Sequence, residues 1–331
     1  MTRLRKTVLT ILLAVLFILV SALCGCGDSV PSGAGVKVYK GFSVHCLDVG
    51  QGDSIFIRLP DRKNMLIDCG ENDVHGKNFN TIKDHLNAYS VKTIDYFVLT
   101  HPDGDHIGNA QKVLNEFSVK QIYIPIVDDS VIINFPEYKS VLEIIESKGI
   151  KTEYSDSYKY IVGEDYGIAF LSPLPLAFEG SSYAELNAQT VVSDSAVNNL
   201  SPIIYAKISG VRFLFTGDAE KSQEDLVLSN YSVGTYQTYF SKKGIDVNLE
   251  SIDFLKVSHH GANDATKQEI LNVLKPKSAV ISVGGNNYYG HPTSAVLLRL
   301  EEINPEYKLY RTDVHGTVSV YKNSNGQIKV D

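Results

Sequence analysis

The segment 100–106 constrains the fold of this chain strongly, because it places four potential metal ligands directly after an apolar run. Its sequence is THPDGDH, and residues 94–99 before it are mostly apolar. Histidine and aspartate are ligands that Zn²⁺ and Mn²⁺ accept, and catalytic sites collect them on loops held by a rigid sheet. A simpler interpretation is a polar turn in which an aspartate begins a helix. The density of the cluster favours a metal-binding loop at the end of a strand.

Two later segments repeat this arrangement, and a third places a histidine in a loop. They are 213–218 (FLFTGD), 255–261 (LKVSHHG) and 289–292 (YGHP). Each has an ordinary structural explanation: Asp218 could cap a helix, His259 could be a packed histidine, and His291 could lie in a turn. Their joint recurrence predicts one site to which several strands contribute.

Strand and helix patterns alternate from residue 37 onward, which predicts a layered α/β body. We expect a single domain over residues 39–331, since no linker-like segment interrupts this region. Apolar runs typical of strands lie at 42–48, 54–59, 65–68, 94–99, 121–124, 166–171, 203–208, 212–216, 252–257, 278–282, 307–310 and 317–322. Helical spacing of apolar residues occurs within 82–89, 107–117, 141–145, 270–274 and 295–300.

Two segments, 177–197 and 230–250, break this alternation and are predicted as long loops, which are often functional. The side chains of the second can stack bases and meet phosphates, but a solvated loop over the sheet edge explains them equally well. Its tyrosines and lysines are Tyr231, Tyr236, Tyr239, Lys242 and Lys243.

The N-terminus has the pattern of a secretory signal. Three basic residues within positions 3–6 precede the apolar run 8–20 and the sequence LCGC at 23–26. We expect a cleaved signal peptide over residues 1–25, with an uncleaved anchor as the alternative. LCGC resembles a lipobox, so Cys26 is the candidate for lipidation, followed by a tether over 26–38. This predicts a lipoprotein at the extracellular face of the cell membrane.

The charge balance argues against a basic surface that coats nucleic acid. The chain has 331 residues with 31 basic and 38 acidic side chains, a net charge of −7. Without residues 1–25 the balance is 28 to 38, a net charge of −10. Several of the acids lie in the predicted site, where divalent cations would offset them and attract phosphate. Of the four cysteines, Cys46 and Cys69 lie in apolar strands and are predicted as buried thiols, with a disulfide as the alternative.

A wider set of motifs resembles the metallo-β-lactamase superfamily and, more narrowly, the hydrolase domain of ComEC/Rec2 competence proteins. The resemblance covers about residues 40–322, in content and in order. Its segments are 47–54 (LDVGQGDS), 66–70 (LIDCG), 101–108 (HPDGDHIG), 198–201 (NNLS), 216–218 (TGD) and 259–261 (HHG).

The resemblance implies a four-layer αββα sandwich with two divalent ions, Zn²⁺ or Mn²⁺, at one edge of the sheets. It assigns His101, Asp103 and Asp218 to one ion. It assigns Asp105, His106, Asp218 and His260 to the other, so that Asp218 bridges. Asp103 stands where many members have histidine, which favours a phosphoester over a lactam.

The superfamily usually supplies another histidine before the bridging aspartate, but none occurs between His106 and His259. Asn198 and Ser201 occupy that region, so the first ion site is predicted to be rich in oxygen and weaker.

The resemblance also implies roles in metal-assisted hydrolysis. Asp105 would orient the attacking water, while His259 and His291 would contact the phosphate or protonate the leaving oxygen. Other polar groups would hold ligand histidines or fix loops. They are Asp48, Asp68 and Asp313, whereas His45, His75 and His85 are given structural roles and His315 none.

The leading hypothesis is therefore an exported, monomeric phosphodiesterase, most plausibly a nuclease acting on DNA outside the membrane. One alternative is a cell-envelope phosphoesterase acting on phosphorylcholine or teichoic-acid groups. Another is a non-catalytic surface module that binds DNA. Lactam hydrolysis is not expected, because Asp103 stands in the motif and the usual histidine before Asp218 is missing.

Overall fold

The computed structural model describes residues 29–31, 35–127, 132–175, 192–303 and 306–331. The predicted signal peptide, Cys26, part of the tether and most of the segment 177–197 lie outside these ranges. None of the helices in the described ranges combines the length and apolar character that a membrane crossing needs.

An eight-stranded mixed sheet forms one half of the molecule. Its strand order is β17-β16-β3-β4-β5-β6-β7-β8, with β5 to β8 parallel to one another. Alternating or continuous apolar residues form the central strands, since both faces of the sheet are covered there. The strands are β3 (Ser43–Cys46), β4 (Ile55–Arg58), β5 (Asn64–Ile67), β6 (Thr93–Val98), β7 (Ser118–Ile124), β8 (Lys151–Tyr154), β16 (Val318–Lys322) and β17 (Ile328–Val330).

A seven-stranded sheet forms the other half, in the order β15-β14-β13-β12-β11-β10-β9. Its strands are β9 (Tyr160–Gly163), β10 (Tyr166–Phe170), β11 (Ile204–Ile208), β12 (Val211–Phe215), β13 (Phe254–Lys256), β14 (Ser278–Ile281) and β15 (Lys308–Arg311). A separate two-stranded ribbon pairs β1 (Ser29–Pro31) with β2 (Lys37–Tyr39). Every strand predicted from an apolar run is confirmed.

Helices cover the outer face of each sheet. Those on the first sheet are α1 (Lys77–Ala88), α2 (Gly104–Ile107), α3 (Ala110–Glu116) and α4 (Pro136–Ser147). Those that follow are α5 (Asp194–Asn198), α6 (Lys221–Ser232), α7 (Thr235–Ser241), α8 (Gln268–Leu274), α9 (Ser294–Ile303) and α10 (Thr312–His315). The prediction of a loop over 230–250 is wrong, because α6 ends within it and α7 follows. Tyr236 and Phe240, one helical turn apart, bury their rings there.

Three apolar cores define the layers. One lies between the sheets, where Val44 and Ile57 of the first sheet belong to the same cluster as Phe213 of the second. A second packs β10 to β14 against α6 to α9, and a third packs β4 to β7 against α1 to α4. The fold is thus a single-domain αββα sandwich, as predicted. Cys46 and Cys69 are separate buried thiols.

Candidate metal centre

The candidate ligands lie where strands of both sheets end at the same edge. Asp68 follows β5 and His101 follows β6, while Asp218 follows β12 and His260 follows β13. The paired strands in each sheet are parallel, so their carboxyl ends point the same way. This placement explains why the ligands are distant in sequence but close in space.

One half of the cluster is tightly gathered. The Nε2 atoms of His106 and His260 are 3.3 Å apart, and each lies 3.3 Å from Oδ2 of Asp218. Oδ2 of Asp105 is 3.2 Å from Nε2 of His260 and 4.0 Å from that of His106. Both imidazoles are buried. We call these four residues the closed half.

The other half is more open. Nε2 of His101 is 3.6 Å from Oδ2 of Asp103, whose side chain is 38% exposed. Ligand atoms of His101, His106 and Asp218 lie within 4.8 Å of one another. Nδ1 of His101 faces the hydroxyl of Ser201 at 3.1 Å, and its buried Nε2 has no hydrogen-bond partner among the described residues. We call His101 and Asp103, together with Asp218, the open half.

The hydrogen bonds on the far side of the closed-half rings fit a metal centre. Nδ1 of His106 lies 2.8 Å from a carboxylate oxygen of Asp68, and Nδ1 of His260 lies 2.7 Å from the carbonyl oxygen of Ser282. Both partners only accept, so Nδ1 carries the proton in each ring and Nε2 of the neutral imidazole presents a lone pair. Two lone pairs and two carboxylates that converge in this way match the donor set that a divalent cation takes.

The electrostatics of the closed half point the same way. Burial lowers the pKa of His260, but the carboxylates of Asp218 and Asp105 outweigh burial and raise this pKa to about 10. Burial raises the pKa of Asp218, yet the His260 and His106 imidazoles hold it well below its usual range. The arrangement therefore stabilises positive charge at its centre.

A buried ion pair that the sequence did not predict lies beneath the cluster. The Lys256 ammonium is completely buried, pairs with the Asp53 carboxylate and donates to the Gly217 carbonyl at 2.9 Å. Burial lowers the pKa of Lys256, but Asp53 and Asp218 outweigh it, so the pKa is raised. Nζ is also 3.7 Å from Oδ1 of Asp218, which leaves Oδ2 to the histidines. A lysine within an apolar strand was the available signal.

The cluster opens into a cavity of about 570 Å³. His259 lies at its wall, where Nδ1 is 2.9 Å from Asp264 and Nε2 is 3.9 Å from Asp218. The His291 ring meets His259 edge to face at a centroid distance of 5.6 Å and stacks on Tyr289 at 5.8 Å. Burial and the charge of His259 lower the pKa of His291. Both predicted proton-transfer residues thus line the cavity.

Six acidic residues line the same cavity, and no lysine or arginine of the described ranges does. The acids are Asp103, Asp105, Asp194, Asp218, Glu220 and Asp264.

The remaining predicted polar residues divide into two groups. Ser201 supports the cluster, because its hydroxyl accepts the Asp218 backbone N–H at 3.1 Å as well as facing His101. Asn198 lines the cavity and donates to Glu220 at 3.0 Å. Asp48 accepts a hydrogen bond from the backbone N–H two residues later, and Asp313 pairs with the guanidinium two residues earlier. These last two fix loops, whereas Asp68 holds a candidate ligand histidine.

The backbone at the site is unusual in two places. His259 and His260 have φ of 48° and 52°, in the left-handed region that costs about 1–3 kcal/mol for such residues. This conformation turns two successive rings toward the cavity. Gly52 has φ of 125°, and a Cβ there would lie 2.1 Å from the Asp105 carbonyl oxygen. The GQGD loop can therefore press against Asp105 only with glycine at this position.

The other histidines lie outside the groups of potential metal ligands found in the described ranges. His45 is buried between the hydroxyls of Ser43 and Ser319, both 2.8 Å away. Burial lowers the pKa of His85 to about 4. His315 bonds to the backbone of the preceding turn, and His75 is exposed.

Comparison with known proteins agrees with this geometry. The sequence profile of the Metallo-beta-lactamase superfamily matches residues 47–175. ComE operon protein 3 of Bacillus subtilis is 30% identical over 301 residues, which are 87% of this chain and 34% of that protein. Competence protein ComA of Neisseria gonorrhoeae is 27% identical over 271 residues, 82% of this chain and 31% of that protein.

Recombination protein 2 of Haemophilus influenzae is 24% identical over 293 residues, 88% of this chain and 29% of that protein. The chain thus spans about a third of the length of the curated relatives it matches. These matches, together with the αββα sandwich and the ligand cluster at its edge, show that the chain belongs to the metallo-β-lactamase superfamily of metal-dependent hydrolases, and that it is similar to about a third of the length of the ComEC/Rec2-like competence proteins.

Proposed function

We propose that this protein is a metal-dependent phosphodiesterase that cleaves DNA outside the cell membrane. The observation that carries the proposal is the donor set, in which three carboxylates converge with three imidazoles at the floor of an open cavity. Such a mixed set suits a pair of divalent cations, Zn²⁺ or Mn²⁺. The competence proteins among the relatives favour DNA as the substrate.

A pair of bound divalent cations supplies Lewis-acid polarisation of a phosphoryl oxygen and lowers the pKa of water. The chain's own residues then position the reactants. Asp105 has 28% of its side chain exposed to the cavity and can orient a water there. His259, held by Asp264, can transfer a proton to the leaving oxygen, and His291 can contact the phosphate.

The acidic wall explains why the ions are needed for binding as well as for chemistry. A phosphodiester that enters this cavity meets six carboxylates and no lysine or arginine from the described residues. Without cations, repulsion between like charges opposes its entry. We therefore expect chelation to weaken substrate binding at this site and to abolish turnover.

The direct test incubates the full chain, loaded with Mn²⁺ or Zn²⁺, with single- and double-stranded DNA and with bis(p-nitrophenyl) phosphate. Asp218→Ala is the matched control. Metal-dependent cleavage of DNA by the wild type but not by the variant is the expected result. Absence of cleavage with either metal would overturn the proposal.

A second candidate is a phosphoesterase acting on phosphorylcholine-type groups of the cell envelope. Tyr289 is 70% exposed at the cavity mouth, near the carboxylates of Asp194 and Glu220 that line the same space. Aromatic rings and carboxylates together attract quaternary ammonium groups. Hydrolysis of p-nitrophenyl phosphorylcholine alongside inert DNA would select this candidate. A protein that retains no metal under replete conditions would instead favour a non-catalytic DNA-binding module.

The proposed location rests on the N-terminal sequence. We propose that the chain is exported, lipidated at Cys26 and monomeric at the extracellular face of the membrane. Incorporation of a radiolabelled fatty acid into the wild type, but not into Cys26→Ala, is expected in a bacterial host. Equal labelling of both proteins would exclude Cys26 as the acceptor.

A further inference from the structure

A second cavity, of about 590 Å³, lies between the free edges of the two sheets, among β7, β8 and β9. Five tyrosines contribute to its lining: Tyr96, Tyr123, Tyr158, Tyr160 and Tyr239. The residues of the candidate metal centre take no part in it. This tyrosine cavity is therefore a separate site, of a size that ordinary ligand pockets have.

We call the three partly exposed rings of Tyr158, Tyr160 and Tyr239 the platform, in which Tyr239 contacts Tyr158 directly and shares Lys243 with Tyr160. The rings of Tyr158 and Tyr239 meet edge to face with centroids 5.0 Å apart. The Lys243 ammonium lies 5.2 Å from the centre of the Tyr160 ring and 5.8 Å from that of Tyr239. Tyr160 is 41% exposed. Exposed rings beside a cation are suited to planar ligands that carry negative charge.

The walls of the cavity offer hydrogen-bonding groups on two sides. On one side, Lys151 donates to Gln121 at 3.2 Å, and Gln121 donates to Glu153 at 2.9 Å. On the other side, the Ser157 hydroxyl is 1% exposed and has no hydrogen-bond partner among the described residues. A buried hydroxyl is normally paired, so its isolation points to a ligand with a polar edge.

Cations distinguish this cavity from the candidate metal centre. Lys151 and Lys159 line it, and Lys243 adds a third ammonium at the platform. Glu153 and Asp156 pair with the first two at 3.2 Å and 3.6 Å, so the lining is balanced before Lys243 is added. A neutral sugar would gain from the rings but not from this extra charge.

We propose that the tyrosine cavity binds single-stranded nucleic acid, with a base stacked on the platform of Tyr158, Tyr160 and Tyr239. Phosphates then meet Lys159 and Lys243, and the base edge meets the polar walls. Stacking of this kind strengthens binding and tolerates any sequence, because every base has a π-face. The choice of nucleic acid over other anionic aromatic ligands rests on the proposed function.

The position of the cavity supports a path between it and the metal centre. β6, β7 and β8 are parallel, and Ser155 follows β8 at the same end at which His101 follows β6. Two strand spacings separate them, about 10 Å in the plane of the sheet. A single strand that lies along this edge can reach both sites.

The test measures binding to the full chain in EDTA, where no cleavage occurs, by fluorescence anisotropy of a labelled single-stranded oligonucleotide of about 15 nucleotides. Tyr160→Ala is expected to weaken binding at least about fivefold, and Tyr160→Phe to stay within about twofold, since the ring is kept. Tyr154→Ala is the matched control, because Tyr154 is 49% exposed on the neighbouring edge strand and does not line the cavity. Thermal unfolding of each variant checks the fold.

Unchanged binding by Tyr160→Ala, or an equal loss in Tyr154→Ala, would overturn the inference. Hydrolysis of bis(p-nitrophenyl) phosphate, measured with Mn²⁺ on the same variants, separates this result from the proposed function. Tyr160-dependent binding without any hydrolysis would support the cavity and refute the phosphodiesterase.

Discussion

The closed and open halves of the candidate metal centre share Asp218 but are supported in different ways. In the closed half, both rings are buried and their Nδ1 atoms face oxygens that only accept, from Asp68 and Ser282. In the open half, His101 faces hydroxyl groups, and Asp103 has 38% of its side chain exposed. The closed half is therefore oriented in advance, while part of the open half is free to move.

This difference teaches that two ions bound here would not be equivalent. A carboxylate behind a histidine raises its basicity and fixes its tautomer, whereas a hydroxyl can donate or accept. The Asp105 carboxylate of the closed half is also less exposed than the Asp103 carboxylate of the open half, 28% against 38%. We expect the closed half to take an ion tightly and the open half to take one weakly.

The largest effect should come from the residue that both halves share. Asp218→Ala removes the carboxylate that faces His106 and His260. It also removes one of the carboxylates beside the buried Lys256 ammonium. Hydrolysis of bis(p-nitrophenyl) phosphate should fall by about 10³-fold or more, and bound metal should fall in both halves. Elemental analysis of the purified protein measures the second quantity. Retention of one tightly bound ion would show that the halves are independent.

Removing one ligand from each half should separate them. His260→Ala should weaken the tighter ion by more than about a hundredfold, while Asp103→Ala should weaken only the second ion, by about tenfold. Calorimetric titration of the metal-free protein with Mn²⁺ resolves the two events. Equal losses in the two variants would contradict the comparison between the halves.

The supporting groups should show the same order with smaller effects. Asp68→Asn removes a charged acceptor from His106 and should reduce metal affinity about 10- to 100-fold. Ser201→Ala removes a neutral hydroxyl from His101 and should cost less than about tenfold. The same titrations measure both changes. A larger effect of Ser201→Ala would mean that the hydrogen bond from the Asp218 backbone N–H to this hydroxyl matters more than the orientation of the His101 ring.

The sequence predicted the candidate ligands of both halves and two of the groups behind them, Asp68 and Ser201, but not the others. His101, Asp218 and His260 stand out because strong apolar strands end beside them, and strand ends at one edge converge. The carbonyl of Ser282 could not be foreseen, since any residue supplies a backbone carbonyl. The pair between Asp53 and Lys256 requires the two sheets to face each other, which no local pattern encodes.

The elements that the sequence did not predict also lack a clear local pattern of apolar residues. β8 and β9 are edge strands, and most of their residues are exposed or half-buried, so they lack the apolar signal of central strands. α6 buries Gln223 and Glu224 together with Val227, which hides its periodicity. The sequence predicts a loop where α7 forms, although Tyr236 and Phe240 have helical spacing.

The smallest expected effect on metal binding comes from Glu224, which holds the turn behind His260. Its carboxylate accepts the backbone N–H groups of Thr266 and Lys267, and the Thr266 hydroxyl accepts that of Ser258. Burial raises the pKa of Glu224 from 4.5 to about 7. The folded protein therefore holds this proton more tightly than the unfolded chain does.

The raised pKa of Glu224 makes the free energy of unfolding depend on pH. Below pH 4.5 both states are protonated, and between 4.5 and 7 the unfolded chain ionises first, so stability falls as pH rises. Relative to Glu224→Gln, the wild type should lose about 3 kcal/mol of unfolding free energy between pH 4 and pH 8. Urea unfolding in EDTA measures this difference. The same turn also carries His260 of the closed half. If the difference in unfolding free energy between the wild type and Glu224→Gln does not change with pH, and the variant binds Mn²⁺ more weakly, then Glu224 is ionised in the folded protein and acts on the metal centre instead.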